Sequence, residues 1–230
     1  PGYGPALDQS HLLLVGDALF APAESDSGTA AVDCLDAQTG ERRWMTPTGE
    51  VASLAHCDGR LVVGNAAGQV MALDPESGAE QWRRSIGLAE AGAVHVGCRD
   101  GALVAAWTQG LICRLDPATG EALWQRDGLA APADPLVSGS RCQVWLRSGR
   151  LLALDMADGA LAWEFDCREL VGEQRWQVWR EARYLPAVTV GGRIVTGASL
   201  DHEMHVVALD PASGELLWRR RSGRDPSNSH

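Results

Sequence analysis

The sequence predicts an all-β protein, a β-propeller of four-stranded antiparallel blades. One observation is the string Leu-Asp-x-x-x-Gly-x-x-x-Trp, which occurs five times with its Asp at positions 36, 74, 116, 155 and 210. The intervals of 38, 42, 39 and 55 residues between these Asp residues are near the length of one propeller blade. A second observation is that the apolar runs have four to six residues and end at Gly, Asp, Pro or Ser, which is typical of strands in a meander.

Each copy of the string marks the last two strands of one blade. In residues 51–86 the segments ASLAHCDG, RLVVGNAAG, QVMALDPESG and AEQWRRSIG are four successive strand-and-turn units. The same division gives blades at 10–46, 51–86, 93–127, 133–166 and 183–221, an insertion at 167–182 and a disordered tail at 222–230. Five blades either close as a five-bladed ring or form an arc of a larger propeller.

The repeated turn and the repeated Trp have separate physical reasons. The Asp side chain can accept hydrogen bonds from the backbone two residues on, and the Gly supplies a positive φ that closes the turn. A Trp at one fixed place in each blade is expected to be buried between neighbouring sheets, with its indole N–H donating to a carbonyl. These structural docking residues are Trp44, Trp82, Trp124, Trp163 and Trp218.

This frame resembles the tryptophan-docking motif of pyrroloquinoline-quinone-type, or quinoprotein dehydrogenase-like, β-propeller repeats, over about residues 10–221. The resemblance implies the fold more strongly than the function, because the family includes dehydrogenases, outer-membrane assembly lipoproteins and sensor domains of bacterial Ser/Thr kinases. We expect a non-enzymatic module that binds a protein partner or a small ligand on a loop face. The alternative is a fragment of a quinone-dependent oxidoreductase.

The quinone chemistry of the family has specific requirements. The resemblance implies a disulfide ring of two adjacent Cys and a Ca²⁺ ion held by several oxygen ligands. The sequence has no adjacent Cys pair and no compact set of such ligands, so we predict no catalytic, cofactor-binding or metal-binding residues. The densest group of possible ligands is DHEMH at 201–205, which is either a polar hairpin tip or a place where His202 and His205 converge on a metal. His56 and His95 are expected to make local hydrogen bonds.

Composition and charge limit the classes of partner and the cellular compartments that we expect for this protein. The formal net charge of −10 argues against nucleic-acid binding, and no apolar run approaches 18 residues, so we expect no membrane insertion. The six Cys form no Cys-x-x-Cys motif, which argues against a zinc or redox site. Three of them lie inside apolar strand-like runs, where Cys acts as a small buried hydrophobe, which favours reduced thiols and a cytoplasmic setting. A removed signal would instead place the protein in the periplasm or outside the cell. Because the chain begins at Pro1 rather than Met, we expect a processed or trimmed piece. We also expect it to be part of a larger bacterial protein, with room for further blades or domains upstream.

The insertion before the last blade is the strongest candidate for a binding surface. Residues 168–184 hold two Trp outside the repeated string, among several Arg. Trp, Tyr and Arg dominate binding hot spots, and a short helix would place Trp176, Trp179 and Arg180 on one face. We therefore predict a partly helical cap that binds a partner through Arg175, Trp176, Trp179, Arg180 and Tyr184. The alternative is that the insertion packs over a blade edge as part of the core.

Overall fold

A computed structural model of the 230-residue chain describes residues 12–85, 92–131, 133–170, 183–200 and 203–224. Blade 1 consists of β1 (Leu13–Val15), β2 (Ala18–Glu24), β3 (Ala30–Asp36) and β4 (Arg42–Pro47). Blade 2 consists of β5 (Val51–Cys57), β6 (Arg60–Asn65), β7 (Gln69–Leu73) and β8 (Glu80–Ser85). Blade 3 consists of β9 (Val94–Arg99), β10 (Ala102–Trp107), β11 (Leu111–Leu115) and β12 (Ala122–Asp127). Blade 4 consists of β13 (Leu136–Ser138), β14 (Arg141–Trp145), β15 (Arg150–Asp155) and β16 (Leu161–Asp166). Blade 5 consists of β17 (Arg183–Val190), β18 (Arg193–Leu200), β19 (Glu203–Leu209) and β20 (Leu216–Arg224).

The five sheets confirm the predicted fold class. In each sheet four strands pair antiparallel in chain order, and the first strands of successive blades contact one another in the order β1, β5, β9, β13, β17. These first strands therefore line the axis, and the last strand of each blade is the outer edge. A single turn of 3-10 helix, Cys167–Leu170, follows blade 4. No helix in the described part of the chain is long and apolar enough to span a membrane.

Alternation along the strands gives a blade two apolar faces, and in blades 2 to 4 both faces are buried. In blade 2, Leu73 packs with Phe20 and Cys34 of blade 1, whereas its neighbour Ala72 packs towards blade 3. A bulge after Ala72 pairs this residue with Trp82, so the Trp shares the face that meets the next blade. The same bulge recurs in all five sheets, and it fixes the direction in which every repeated Trp docks.

The blades form an open arc, not a closed five-bladed ring. Trp82 and Trp163 are buried and Trp44 and Trp124 are half-buried, but Trp218 of the last blade is 38% exposed. The prediction that all five docking Trp residues are buried is therefore wrong for Trp218. The physical reason is that no described blade follows blade 5.

Two further expectations need correction. Cys57 and Cys98 form a disulfide, so the expectation that all six thiols are reduced is wrong. The two Cys lie on the adjoining first strands of blades 2 and 3, a proximity that only the propeller packing creates. The assigned tail is also too long, because β20 continues to Arg224, where it pairs with Glu203 of β19.

Candidate functional site

We call each contact between neighbouring blades a seam. The same hydrogen bond, donated by one blade to the next blade along the chain, recurs in all four seams. The indole N–H of the Trp in one blade donates to the carbonyl of the residue after the repeated Asp in the next blade. The donor–acceptor pairs are Trp44 with Pro75 at 3.1 Å, Trp82 with Pro117 at 2.9 Å, Trp124 with Met156 at 2.9 Å and Trp163 with Pro211 at 3.0 Å. The Trp and the turn therefore interact across the seam, not within one blade.

The repeated Gly makes room for the indole as well as closing the turn. A Cβ built on Gly120 would lie 2.6 Å from Cε3 of Trp82, closer than real Cβ contacts come. The same holds in the other seams. A Cβ built on Gly78, Gly159 or Gly214 would come too close to the ring of Trp44, Trp124 or Trp163, respectively, and the φ of these three Gly residues is between 72° and 75°. Only Gly meets both requirements, a positive φ and contact with the ring.

A second donor supports three of the seams. It lies two residues after the Trp and reaches a carbonyl of the Gly-containing turn in the next blade. Thr46 donates its hydroxyl to the carbonyl of Gly78, Arg84 donates to that of Thr119 and Arg126 to that of Gly159, each at 2.8 Å. The acceptors are all backbone atoms, so the incoming blade is recognised by the shape of its turn.

The side chains of the repeated Asp residues accept hydrogen bonds from their own turns. In blade 2, Oδ1 of Asp74 accepts hydrogen bonds from the hydroxyl of Ser77, the N–H of Ser77 and the N–H of Glu76, which lower the pKa of Asp74. Backbone hydrogen bonds from Ser213 and Ala212 likewise lower the pKa of Asp210. In blade 1 the hydrogen bond from Arg43 is the largest cause of the lowered pKa of Asp36. These carboxylates are therefore structural anions held ionised by local donors.

The axial side of the arc contains an open pocket of about 620 Å³. It is lined by the first strands of blades 1 to 4, with Leu14, Leu54 and Leu136 among its residues, and more than half of the surface that it exposes is polar. His56 and Arg99 supply polar side chains, and the half-buried Cys98 contributes to the wall. A surface of this kind, with apolar side chains beside polar groups, suits a segment or ligand that has both apolar groups and a carboxylate.

The cysteines divide into one disulfide and four buried thiols. The disulfide joins the ends of the first strands of blades 2 and 3 beside the axial pocket. The other four, Cys34, Cys113, Cys142 and Cys167, are buried and are not part of this disulfide. Burial raises the pKa of Cys113 to about 12 and also raises the pKa of Cys34 and Cys142, so these three thiols are poor nucleophiles at neutral pH.

The predicted partner-binding residues are not brought together by what the structure describes. Arg175, Trp176, Trp179 and Arg180 lie outside the described residues, and only the backbone of Tyr184 is described, paired with Ala198 in blade 5. The binding patch and its alternative as core therefore both stay predictions. The short helical turn at Cys167–Leu170 is the described part of the insertion.

The histidines lie differently from the sequence expectation. His205 is not at a hairpin tip but inside β19, where it is buried, while Asp201 and His202 lie outside the described residues. Nδ1 of His95 lies 2.8 Å from Oδ1 of Asp134, so this hydrogen bond crosses from blade 3 to the segment before blade 4 and is not local. Within the described ranges no three His, Cys, Asp or Glu side chains are grouped as metal ligands.

The axial pocket and the disulfide were missed by sequence reasoning. A signal for the disulfide exists, since Cys57 is the last residue of β5 and Cys98 the last but one of β9, each close to an Asp-Gly turn, at Asp58-Gly59 and Asp100-Gly101. Positions that differ by one residue in adjacent blades are still near each other around a propeller axis. The pocket has no such signal, because its lining comes from four separate strands.

Comparisons with known proteins agree on the architecture. The family model described as outer membrane protein assembly factor BamB, a model of pyrroloquinoline-quinone-type repeats, matches residues 2–125 and 28–169. No curated protein sequence matches the chain significantly.

Among solved structures, BamB from Moraxella catarrhalis matches with a TM-score of 0.67 and 20% identity, over 92% of this chain and 63% of that one. The computationally designed Ika8 protein matches with a TM-score of 0.68 and 20% identity, over 91% of this chain and 60% of that one. Quinohemoprotein alcohol dehydrogenase from Comamonas testosteroni matches with a TM-score of 0.67 and 15% identity, over 92% of this chain and 42% of that one. This chain thus spans about three fifths of the first two structures, and at these identities the likeness shows the fold alone.

Proposed function

The chain belongs to the BamB-like family of pyrroloquinoline-quinone-type β-propeller repeats, and on that premise we propose that it is a non-catalytic interaction module of a larger bacterial protein. The module binds a protein partner or a small ligand on its axial and loop surfaces. The family model is named after an outer membrane protein assembly factor, which supports an interaction role for this chain.

One observation supports the proposal most directly. The repeated polar residues make hydrogen bonds within turns and between blades, whereas the pocket on the axial side is accessible to a ligand. The Asp carboxylates bind their own turns, and four of the five repeated indoles bind the next blade. In contrast, the pocket between the first strands exposes apolar side chains beside His56 and Arg99. Propellers bind through their axial and loop faces because their regular strands are occupied in packing.

The described surface favours a partner segment that is apolar and acidic. Leu14 in the pocket wall and Val188 of β17 are both exposed, and each belongs to the first strand of a blade. Arg99 is more than half exposed and near Asp100 at 3.9 Å, a contact that solvent weakens, so its guanidinium is accessible to a carboxylate. The insertion at 168–184 adds Trp176 and Trp179 among further Arg residues as a second proposed contact.

We place the module in an oxidising compartment, the periplasm, where the Cys57–Cys98 disulfide persists. This replaces the cytoplasmic expectation, which rested on reduced thiols. The proposal therefore includes a signal sequence that directs the chain out of the cytoplasm and is then removed.

Site-specific photo-crosslinking tests the binding surface. A photoreactive amino acid at position 56, in the axial pocket, should give adducts with a partner in the periplasm, and one at position 176 should do so if the insertion also binds. The matched control is position 123, an exposed Leu on the outer strand of blade 3. Adducts of equal yield at 56 and 123, or none at 56, would contradict an axial binding site.

The alternative function, a fragment of a quinone-dependent oxidoreductase, has its own measurement. It is favoured only by the fold shared with the quinohemoprotein alcohol dehydrogenase. Adding pyrroloquinoline quinone and Ca²⁺ to the protein should give neither saturable binding nor reduction of a redox dye with alcohols or sugars. Saturable binding with dye reduction would establish the oxidoreductase in place of the interaction module.

A further inference from the structure

We propose that the Cys57–Cys98 disulfide is a thiol-exchange site in the axial pocket, at which a ligand thiol that carries a carboxylate replaces Cys57 as the partner of Cys98. The product is a mixed disulfide between the ligand and Cys98. This goes beyond the proposed function, because an interaction module needs only non-covalent contacts, whereas the exchange is a covalent capture of one ligand by one protein molecule.

The two sulfur atoms of the disulfide differ in their access to the pocket. Cys98 is half-buried and lines the pocket, whereas Cys57 is 1% exposed and packs in the core between blades 2 and 3. In thiol–disulfide exchange a thiolate attacks the sulfur that it can reach, and the other sulfur leaves. A thiol in the pocket of about 620 Å³ therefore attacks Cys98, and Cys57 is the leaving group.

Arg60 lies beside the sulfur that leaves. It pairs directly with Cys57 across the β5–β6 hairpin, so the two side chains lie on the same face of blade 2. The guanidinium donates from Nη1 to the carbonyl of Asp58 at 2.9 Å, while its Nε is buried and has no hydrogen-bond acceptor among the described residues. A neighbouring guanidinium stabilises a thiolate and makes it a better leaving group. The Nε–H of Arg60 is thus a donor for the thiolate that Cys57 becomes.

Blade 4 shows what the equivalent Arg does where a Ser stands in place of the Cys. Arg141 pairs with Ser138 across its hairpin, and its Nη1 donates to the carbonyls of Pro211 and Ala212 in the docking turn of blade 5. Arg60 has the same place in blade 2 but bonds to its own hairpin turn, not to the described residues of blade 3. The Arg of blade 2 is therefore not used to hold the seam, and it stays beside the disulfide.

The lining of the pocket favours an anionic thiol. Arg99 follows Cys98 directly in the chain and lines the pocket with a side chain that is 55% exposed. His56 lines the same pocket, and none of the described lining residues is Asp or Glu. A carboxylate of the ligand pairs with the guanidinium of Arg99 and holds the ligand sulfur near Cys98.

The exchange needs no further oxidant or reductant. The ligand thiol loses its proton to solvent, and its sulfur forms a bond to Sγ of Cys98 while the bond between Cys98 and Cys57 breaks. The electron pair of the broken bond stays on the sulfur of Cys57, which becomes a thiolate beside Arg60. Attack of this thiolate on Cys98 reverses the step, restores the disulfide and releases the ligand.

Timed exchange with two small thiols tests the proposal. Glutathione carries two carboxylates, and cysteamine is a cationic thiol for comparison. The folded protein is mixed with each thiol, quenched at successive times with iodoacetamide and mapped by mass spectrometry. We expect the glutathione adduct on Cys98 and the alkyl group on Cys57, formed much faster than the protein unfolds. Adducts mainly on Cys57, or exchange no faster than unfolding, would overturn the proposal and leave the disulfide a structural link.

Three Arg variants separate direct attack from opening of the seam. Arg60→Gln should slow exchange with both thiols several-fold, and Arg99→Gln should lower the preference for glutathione over cysteamine. Arg84→Gln is the matched control, because Arg84 donates to the carbonyl of Thr119 in the same seam but from the outer strand, away from the disulfide. Its exchange rate should match that of the original protein.

Two outcomes of this comparison would contradict the proposal. An unchanged rate in a folded Arg60→Gln variant would show that this guanidinium does not assist the leaving thiolate. Faster exchange in Arg84→Gln would show that the thiol enters only after the seam opens. Neither outcome bears on non-covalent binding in the axial pocket, which the photo-crosslinking at position 56 measures separately.

Discussion

The seam between blades 2 and 3 and the open end of blade 5 use the same residue types in the same register but differ in what they contact. At the seam, Trp82 is 8% exposed, donates to the carbonyl of Pro117 and lies against Gly120. At the open end, Trp218 has the same position in its blade and is 38% exposed. The comparison shows that burial of the repeated Trp depends on the neighbouring blade and is not a property of the blade that carries it.

The largest expected difference is between the two Trp residues themselves. Trp82→Ala should lower the free energy of unfolding by about 3–5 kcal/mol, because it leaves a cavity in a packed seam. Trp218→Ala should lower it by less than about 1 kcal/mol, as an exposed side chain does. Chemical denaturation of both variants measures the difference. Equal losses would show that Trp218 is covered in solution and would remove the basis of the comparison.

The disulfide is the next largest contribution, and it strengthens only the seam between blades 2 and 3. Changing both Cys57 and Cys98 to Ser should cost about 2–4 kcal/mol, since the bond closes a loop of about 41 residues in the unfolded chain. The matched control is Cys34→Ser with Cys142→Ser, which removes two buried free thiols and leaves the disulfide in place. Loss of stability on adding a reductant to the original chain, but not to the Cys57/Cys98 variant, checks the assignment.

A third test compares two Gly residues with nearly the same backbone. Gly120→Ala and Gly40→Ala each place a side chain at a φ of 71° or 73°, which costs about 1–2 kcal/mol. Only Gly120→Ala also drives a Cβ into Trp82, so we expect its melting temperature to fall further. Identical melting temperatures would mean that the Gly serves the turn alone and that the ring contact is tolerant.

The smallest expected effect is electrostatic and belongs to the open end of blade 1. The hydrogen bond from Arg43 is the largest cause of the lowered pKa of both Asp17 and Asp36. A carboxylate with a lowered folded-state pKa stabilises the fold above its unfolded pKa of about 4, and this contribution is lost as the pH falls through the folded value. The original chain should therefore lose slightly more stability between pH 5 and pH 2 than an Arg43→Gln variant. The same slope in both, measured by thermal melts, would show that the cluster is screened by solvent.

Much of the fold could be predicted from the sequence because the Leu-Asp-x-x-x-Gly-x-x-x-Trp string occurs once in each of the five blades. Asp74 and Gly78 have a local reason for their place in the turn, Trp82 has one in the packing between sheets, and similar strings elsewhere give the blades and their direction. The sequence does not distinguish an arc from a closed five-bladed ring, because the repeated string cannot show whether Trp218 contacts another blade. That outcome depends on curvature, which is set by packing between sheets.

The candidate site was less predictable for a related reason. Sequence reasoning singled out the insertion, where composition is unusual; it assigned His56 only to local hydrogen bonding and did not single out Arg99. They become a shared surface only when the first strands of four blades line one axis. The link between Cys57 and Cys98 arises in the same way, because 41 residues of chain separate two groups that the propeller brings together.

The use of main-chain carbonyls as acceptors for Trp44, Trp82, Trp124 and Trp163 makes the blades interchangeable. A blade is accepted for the form of its turn, so its remaining side chains can drift without disturbing its neighbour, as the exchange of Pro117 for Met156 at one acceptor illustrates. A duplicated blade would therefore carry both the turn and the Trp that the common hydrogen bond of a seam requires. Chains of this kind could lengthen or shorten by whole blades and keep that hydrogen bond at each junction.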